Sequence, residues 1–268
     1  MAVAAPLGGC TVWSPSSSST TATDDSEDVA RYDYPVDRDE VETWDGEVVL
    51  EIDGEGGTES ARVLDDGAFD RVLDAVNDSM YLPADITVRI TDDRDVADSE
   101  YNYDTGVVSY PWEDFIETRE LLEDDGYEGV ELDDAAIAAN QYFLAREIGH
   151  AVADRLGIPT LGRLEDAVDG FGSYVGTSLL DDTMLASAAA GVYASYAEQY
   201  DAGEFEWAQG HSVDEQRYFT SVCQAYGAEA SARQNPYEEL VEASDMPAER
   251  VESCADEWTE MDRSWETL

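Results

Sequence analysis

The sequence contains no lysine. All fourteen of its basic residues are arginine, against 63 aspartates and glutamates, and the net charge is -49 over 268 residues. So few cations exclude a nucleic-acid-binding protein, which needs a basic surface, and electrostatic docking on anionic lipid. Because 43% of the residues are hydrophobic, the chain can still bury a core. The excess of acid therefore predicts a folded, halophilic protein, since concentrated salt screens the repulsion between carboxylates.

Long apolar runs are also missing, and no stretch approaches the roughly 20 apolar residues of a membrane-spanning helix. Leu7-Gly8-Gly9-Cys10 resembles the cleavage site of lipoprotein signal peptides, after which the cysteine is lipidated. A Ser- and Thr-rich segment at 14–23 then predicts a flexible tether. Because only nine residues precede Cys10, too few for a signal peptide, we interpret the start codon as assigned too late. The alternative is a chance cysteine in a disordered tail. The expected location is the extracellular face of the cell membrane, through a lipid anchor, or secretion.

Cysteine is scarce, with three in the whole chain. If Cys10 is lipidated, Cys223 and Cys254 remain as an even pair in a region that is expected to be helical. Outside the cell such a pair can form a disulfide. Two buried thiols are the alternative.

The order of the predicted elements indicates an α+β fold, with a small N-terminal sheet followed by a helical region. Residues 1–30 are assigned to the tether and 31–268 to a single domain. Strands are predicted at 48–52 and 86–90, with a hairpin near 101–110. Asp133 is a candidate N-cap for a long helix at 134–156. The other helices are predicted near 67–80, 111–123, 163–179, 182–200, 212–232 and 247–264.

The long helix contains Arg146-Glu147-Ile148-Gly149-His150, which is similar to the H-E-x-x-H helix of zinc peptidases. In that pattern two histidines one turn apart bind the ion, and the glutamate polarises a metal-bound water. Glu147 and His150 occupy the second and fifth positions, but Arg146 stands where the first histidine belongs. A guanidinium is always cationic and has no lone pair to give to zinc.

Three further segments follow this helix in order: 163–169, 210–217 and 223–227, with the sequences RLEDAVD, GHSVDEQR and CQAYG. Glu165 and Asp169 are four residues apart and therefore share one face of a helix. Taken together over about residues 80–268, the segments resemble a family of exported zinc metallopeptidases in the zincin group.

The resemblance implies a zincin-like domain with an active-site helix and assigns roles to particular residues. Glu147 would be the general base and His150 a zinc ligand. Glu165 would be the third ligand, with Asp166 or Asp169 as the competing choice. Asp169 would otherwise orient a ligand, and His211 would stabilise the oxyanion of the transition state.

The substitution at Arg146 leaves several interpretations open. In the first, the guanidinium takes the place of the ion beside Glu165, Asp169 or Glu147, and the degenerate site is weakly active or inactive. In the second, His211 supplies the missing imidazole, which gives an active zinc site with His150 and a carboxylate. In the third, the chain is a non-catalytic peptide-binding or scaffold lipoprotein. The expected cofactor is thus zinc or none. The expected partner is a peptide or protein, and the membrane is contacted only through the lipid anchor.

Overall fold

The computed structural model describes residues 41–54, 63–64, 67–199 and 210–268. Cys10 and the predicted tether at 1–30 lie outside these residues. The strands are β1 (Val48–Asp53), β2 (Ile86–Thr91), β3 (Glu100–Asn102) and β4 (Val107–Pro111). The helices are α1 (Ala68–Ser79), α2 (Trp112–Asp124), α3 (Gly129–Arg155), α4 (Leu164–Tyr174), α5 (Met184–Gln199), α6 (Asp214–Ala228), α7 (Glu238–Ala243) and α8 (Ala248–Glu266). A π-helical turn, Val175–Leu179, extends α4. The predicted α+β class is confirmed.

The four strands form one sheet in the order β1-β2-β4-β3. β1, β2 and β4 are parallel, while β3 pairs antiparallel with β4. Ile86, Val88 and Ile90 on alternate positions of β2 are fully buried, as the period of two predicted. The predicted hairpin is the β3–β4 pair, and it leaves β3 at the edge of the sheet.

Helix α3 lies at the centre of the molecule. Leu144, Ile148 and Val152 pack in the same hydrophobic cluster as the sheet, whereas Ala139 and Tyr142 pack with residues of α2 and α5. A helix that is apolar on all sides is expected to be buried in this way. Its polar motif residues are therefore carried into the interior.

The predicted start of this helix at Asp133 was wrong. The helix begins at Gly129, and Glu128 occupies the N-cap position without a side-chain cap. The Asp133 carboxylate instead lies 3.5 Å from Nε of Arg119 on α2. Asp133 therefore forms an ion pair with a neighbouring helix and does not cap α3, although the local sequence pattern had predicted that it would.

Two glycines allow α3 and α4 to approach closely. A Cβ atom on Gly149 would lie 2.9 Å from the ring of Phe171, and one on Gly172 would lie 3.0 Å from Tyr142. Such separations are shorter than ordinary van der Waals contact. The close packing brings the carboxylates of α4 against the motif residues of α3.

The carboxy-terminal helices are joined covalently. Cys223 of α6 and Cys254 of α8 form the predicted disulfide. Between them lies α7, which was not predicted because six residues are too few to show a helical period. Within the described ranges, no helix has both the length and the apolar character needed to cross a bilayer.

Candidate functional site

The Arg146 side chain lies at the centre of the predicted site. Its Nε donates to Oδ1 of Asp169 at 2.9 Å. Its Nη1 donates to Oε1 of Glu147, and its Nη2 donates to Oε2 of Glu165. The same Nη2 lies 2.8 Å from Nε2 of His211. One guanidinium therefore contacts three carboxylates and one imidazole. We call this group, together with His150, the Arg146 centre.

The charge of Arg146 is fixed by these neighbours. The side chain is buried, and burial alone would lower its pKa, but the carboxylates of Glu147 and Asp169 raise the pKa above its ordinary value. Guanidinium forks pair closely with carboxylates because two donors match two acceptors. The Arg146 centre is thus built around a permanent cation.

Glu165 links the two histidines of the chain. Its Oε2 lies 3.3 Å from Nε2 of His150 and 2.9 Å from Nε2 of His211. Burial alone would raise the pKa of the Glu165 carboxyl, but hydrogen bonds from the two imidazoles and the charge of Arg146 hold it well below its usual range. The Glu165 carboxyl is therefore ionised at neutral pH.

The contacts of His211 compete with one another. Nε2 can donate to Glu165 or accept from Arg146, but one nitrogen cannot do both. In His150 the two ring nitrogens have separate partners, because Nδ1 lies 3.2 Å from the Tyr103 hydroxyl. The His150 ring is thus fixed at both nitrogens, and His211 is fixed at one.

Asp169 is the most heavily bonded acid of the site. Besides Arg146, it accepts from Nε and Nη2 of Arg217 at 2.9 and 3.0 Å. The Arg217 guanidinium stacks on the ring of Tyr193 at 4.0 Å and donates to its hydroxyl. Sequence reasoning gave Arg217 no role in the site and considered Tyr193 only as a core residue or as part of a peptide groove. The sequence feature that could have indicated a role for Arg217 is its position at the end of the 210–217 segment, six residues after His211.

Glu147 is almost fully buried. Burial raises the pKa of its carboxyl, and the charge of Arg146 opposes that effect. A backbone hydrogen bond from Tyr101 on β3 also reaches this carboxyl. The edge strand therefore borders the Arg146 centre beside the predicted base.

Asp166 stands apart from the other predicted residues. Its carboxylate accepts a hydrogen bond from the Ser212 hydroxyl at 2.7 Å and is exposed. It lies one residue after Glu165 on α4, and one residue turns a helix by about 100°. The structure therefore brings together Arg146, Glu147, His150, Glu165, Asp169 and His211 and leaves Asp166 outside.

A cavity of about 160 Å³, which we call the acidic cavity, opens beside Glu147 and is also lined by Asp98, Asp114 and Glu117. Burial raises the pKa of the Asp114 carboxyl to about 7, although a backbone hydrogen bond from Ser99 opposes the shift. The Asp114 carboxyl therefore keeps its proton to a higher pH than an ordinary aspartate does.

The contribution of Asp114 to the free energy of unfolding is expected to fall as pH rises, because its half-buried carboxyl disfavours the ionised form. A raised folded-state pKa gives a contribution that is complete below the unfolded value of about 3.9 and is lost as pH rises through about 7. The full shift corresponds to about 4 kcal/mol. Because Asp114 is only half-buried and solvent screens its charge, wild type should lose roughly 2 kcal/mol relative to Asp114→Asn between these limits. Urea unfolding at a series of pH values measures this, with Glu113→Gln as the exposed control. Parallel profiles of wild type and Asp114→Asn would contradict the assignment.

Comparison with protein families identifies the chain. A family model described as "Putative metallopeptidase" matches residues 55–268. The chain belongs to this metallopeptidase family. The match includes all of the motif segments, so the predicted resemblance to a metallopeptidase family is confirmed. No curated protein and no solved structure matches the chain.

Membership of a metallopeptidase family points to a metal ion, commonly zinc. In the part of the chain that the structure describes, no three His, Cys, Asp or Glu side chains are arranged to hold one. Nε2 of His211 and Oε2 of Glu165 are chemically suitable ligands, but Nη2 of Arg146 contacts both atoms. With Arg146 in this position, the residues do not fit a divalent ion.

Proposed function

We propose that this metallopeptidase-family protein binds a peptide or protein segment beside the Arg146 centre, with weak zinc-dependent hydrolysis or none. Peptide binding is supported by β3, an edge strand that borders the centre and could pair with an extended peptide. Weak or absent hydrolysis is supported by the contacts from Nη2 of Arg146 to Glu165 and His211. A divalent ion would need the same two acceptor atoms and would be repelled by the guanidinium. In this proposal Arg146 supplies the positive charge that holds the three carboxylates together.

A second candidate is an active zinc peptidase that uses His150, His211 and Glu165. It is favoured by the distances of 3.3 and 2.9 Å that join the two imidazoles to the one carboxylate. Zinc would supply a polarised water, and Glu147 would be the base. This candidate requires Nη2 of Arg146 to leave its contacts with Glu165 and His211.

Metal analysis separates the two candidates. The chain is purified in concentrated KCl, because its composition predicts a salt-adapted surface, and is then exposed to zinc and desalted. The first proposal expects far less than one zinc per chain in the parent and about one in Arg146→His. Stoichiometric zinc in the parent would overturn it in favour of the second candidate.

We propose in addition that the chain is exported and anchored to the outer face of the membrane through a lipid on Cys10. Support comes from Leu7-Gly8-Gly9-Cys10, from the Ser- and Thr-rich segment after it, and from the Cys223–Cys254 disulfide, a bond typical of oxidising compartments. In the native host, mass spectrometry of the membrane fraction should find Cys10 at the amino terminus with a lipid attached. A Cys10→Ser variant should be lost from that fraction, and its retention would contradict the proposal.

A further inference from the structure

The arginines of this chain are not spread evenly over its surface. Although arginine supplies only fourteen of 268 residues, Arg163, Arg217 and Arg250 line a single cavity of about 570 Å³. We call it the arginine cavity. Asp169 also lines it, so the cavity adjoins the Arg146 centre. On a protein with so strong an excess of acid, three guanidiniums around one cavity mark a place where negative charge can bind.

The three guanidiniums differ in how far their charges are neutralised. Arg217 is committed to Asp169 through two nitrogens, and Arg250 pairs with Glu257. Arg163 donates through Nη1 to the carbonyl oxygen of His211 at 3.2 Å and to the Ser212 hydroxyl at 3.0 Å.

Arg163 forms no ion pair with a carboxylate in the described residues, and its side chain is exposed. Both contacts of Arg163 use the same nitrogen, Nη1. The Nε and Nη2 edge of the guanidinium can therefore meet a ligand while Nη1 keeps its bonds. This edge presents two parallel donors, the geometry that a carboxylate accepts.

The acids of the cavity restrict the charge of the ligand. Asp169 is saturated by Arg146 and Arg217, and Asp166 accepts from Ser212. A group with two negative charges, such as a phosphate, would meet these carboxylates as well as the guanidiniums. A single carboxylate carries one charge and matches Arg163, the one of the three lining arginines that forms no ion pair with a described carboxylate.

We propose that the arginine cavity binds a carboxylate group of the peptide ligand, with Arg163 as the main donor and Arg250 as the second cation. The carboxylate is either the carboxy terminus of the ligand or an Asp or Glu side chain. The inference rests on the proposed peptide-binding function and adds a ligand preference to it. Because Arg163 also donates to the backbone carbonyl of His211, the bound carboxylate would lie next to the Arg146 centre.

Three fluorescent alanine-rich tetrapeptides test this inference by equilibrium binding in concentrated KCl. One has a free carboxy terminus, the second is its amide, and the third is an amide that contains one glutamate. At least one of the acidic peptides is expected to bind about tenfold tighter than the neutral amide. Which acidic peptide shows the preference distinguishes a terminal carboxylate from a side-chain carboxylate.

Three variants test whether the arginine cavity is responsible for the preference for acidic peptides. Arg163→Gln should abolish it, and Arg250→Gln should reduce it several-fold. Arg89→Gln should leave the preference for acidic peptides unchanged. This substitution removes the same charge, but Arg89 pairs with Glu51 at the surface and does not line the cavity. Thermal unfolding confirms that each variant is folded.

The outcomes separate this inference from the proposed function. Equal binding of all three peptides overturns the carboxylate site but leaves a peptide-binding cleft in place. Binding of none overturns both. A preference that persists in Arg163→Gln and Arg250→Gln overturns the assignment to this cavity, and none of these results depends on the zinc content of the chain.

Discussion

The Arg146→His variant is expected to bind one zinc ion per chain, at least about 100-fold more tightly than the parent. The substitution removes the cation that contacts Glu165 and His211 and places an imidazole four residues before His150, the spacing of two ligands on one helix face. Loss of a residue that only orients a ligand already costs about 10- to 100-fold in affinity. Restoring a direct ligand should therefore have the larger effect.

Arg146→Gln is the matched control for this experiment. It removes the positive charge without adding an imidazole, so an increase in zinc binding in this variant measures the relief of repulsion alone. Zinc titration with a competing chelator gives the affinities, and cleavage of a fluorogenic casein substrate gives the activity. If parent and Arg146→His bind zinc equally, Arg146 does not control the metal site.

The Asp169→Asn variant is expected to lose about 3 kcal/mol of unfolding free energy. Asp169 is buried and accepts from both Arg146 and Arg217, so the amide leaves two buried guanidiniums with too little negative charge. Removal of one partner of a buried pair typically costs about 3 to 5 kcal/mol. The lower value applies because Arg146 keeps Glu147 and Glu165 as partners.

Asp166→Asn provides a control on the same helix. Asp166 is exposed, and its carboxylate has one hydrogen bond, from Ser212, so its loss should cost less than about 1 kcal/mol. Urea unfolding of the two variants at one pH and one KCl concentration makes the comparison. Equal losses would show that Asp169 is not the residue that stabilises the Arg146 centre.

Several features of the site could be predicted because they are encoded in neighbouring residues. The spacing of Glu147 and His150 places them on the long helix, and the four-residue separation of Glu165 and Asp169 places both on one face of α4. The order of the segments indicated a metallopeptidase family, which the match over 55–268 confirms at that level. Each of these features depends on residues that are close in the sequence or on the order in which the segments occur.

Other features required the packed structure. The start of α3 was misplaced because Asp133 pairs with Arg119 of another helix. The role of Arg217 was missed because its partner, Asp169, lies 48 residues earlier.

By itself, the sequence determined the α+β class, the long helix that carries Arg146, Glu147 and His150, the cysteine pair and the metallopeptidase family. Only the tertiary structure decided that Arg146 contacts Glu147, Glu165, Asp169 and His211, that Asp166 lies outside, and that three arginines line one cavity. The physical reason is that helical period and capping act over a few residues, whereas these contacts depend on how closely α3, α4 and α6 pack. That packing is set by Gly149 and Gly172 and by buried charges whose partners are distant in the chain.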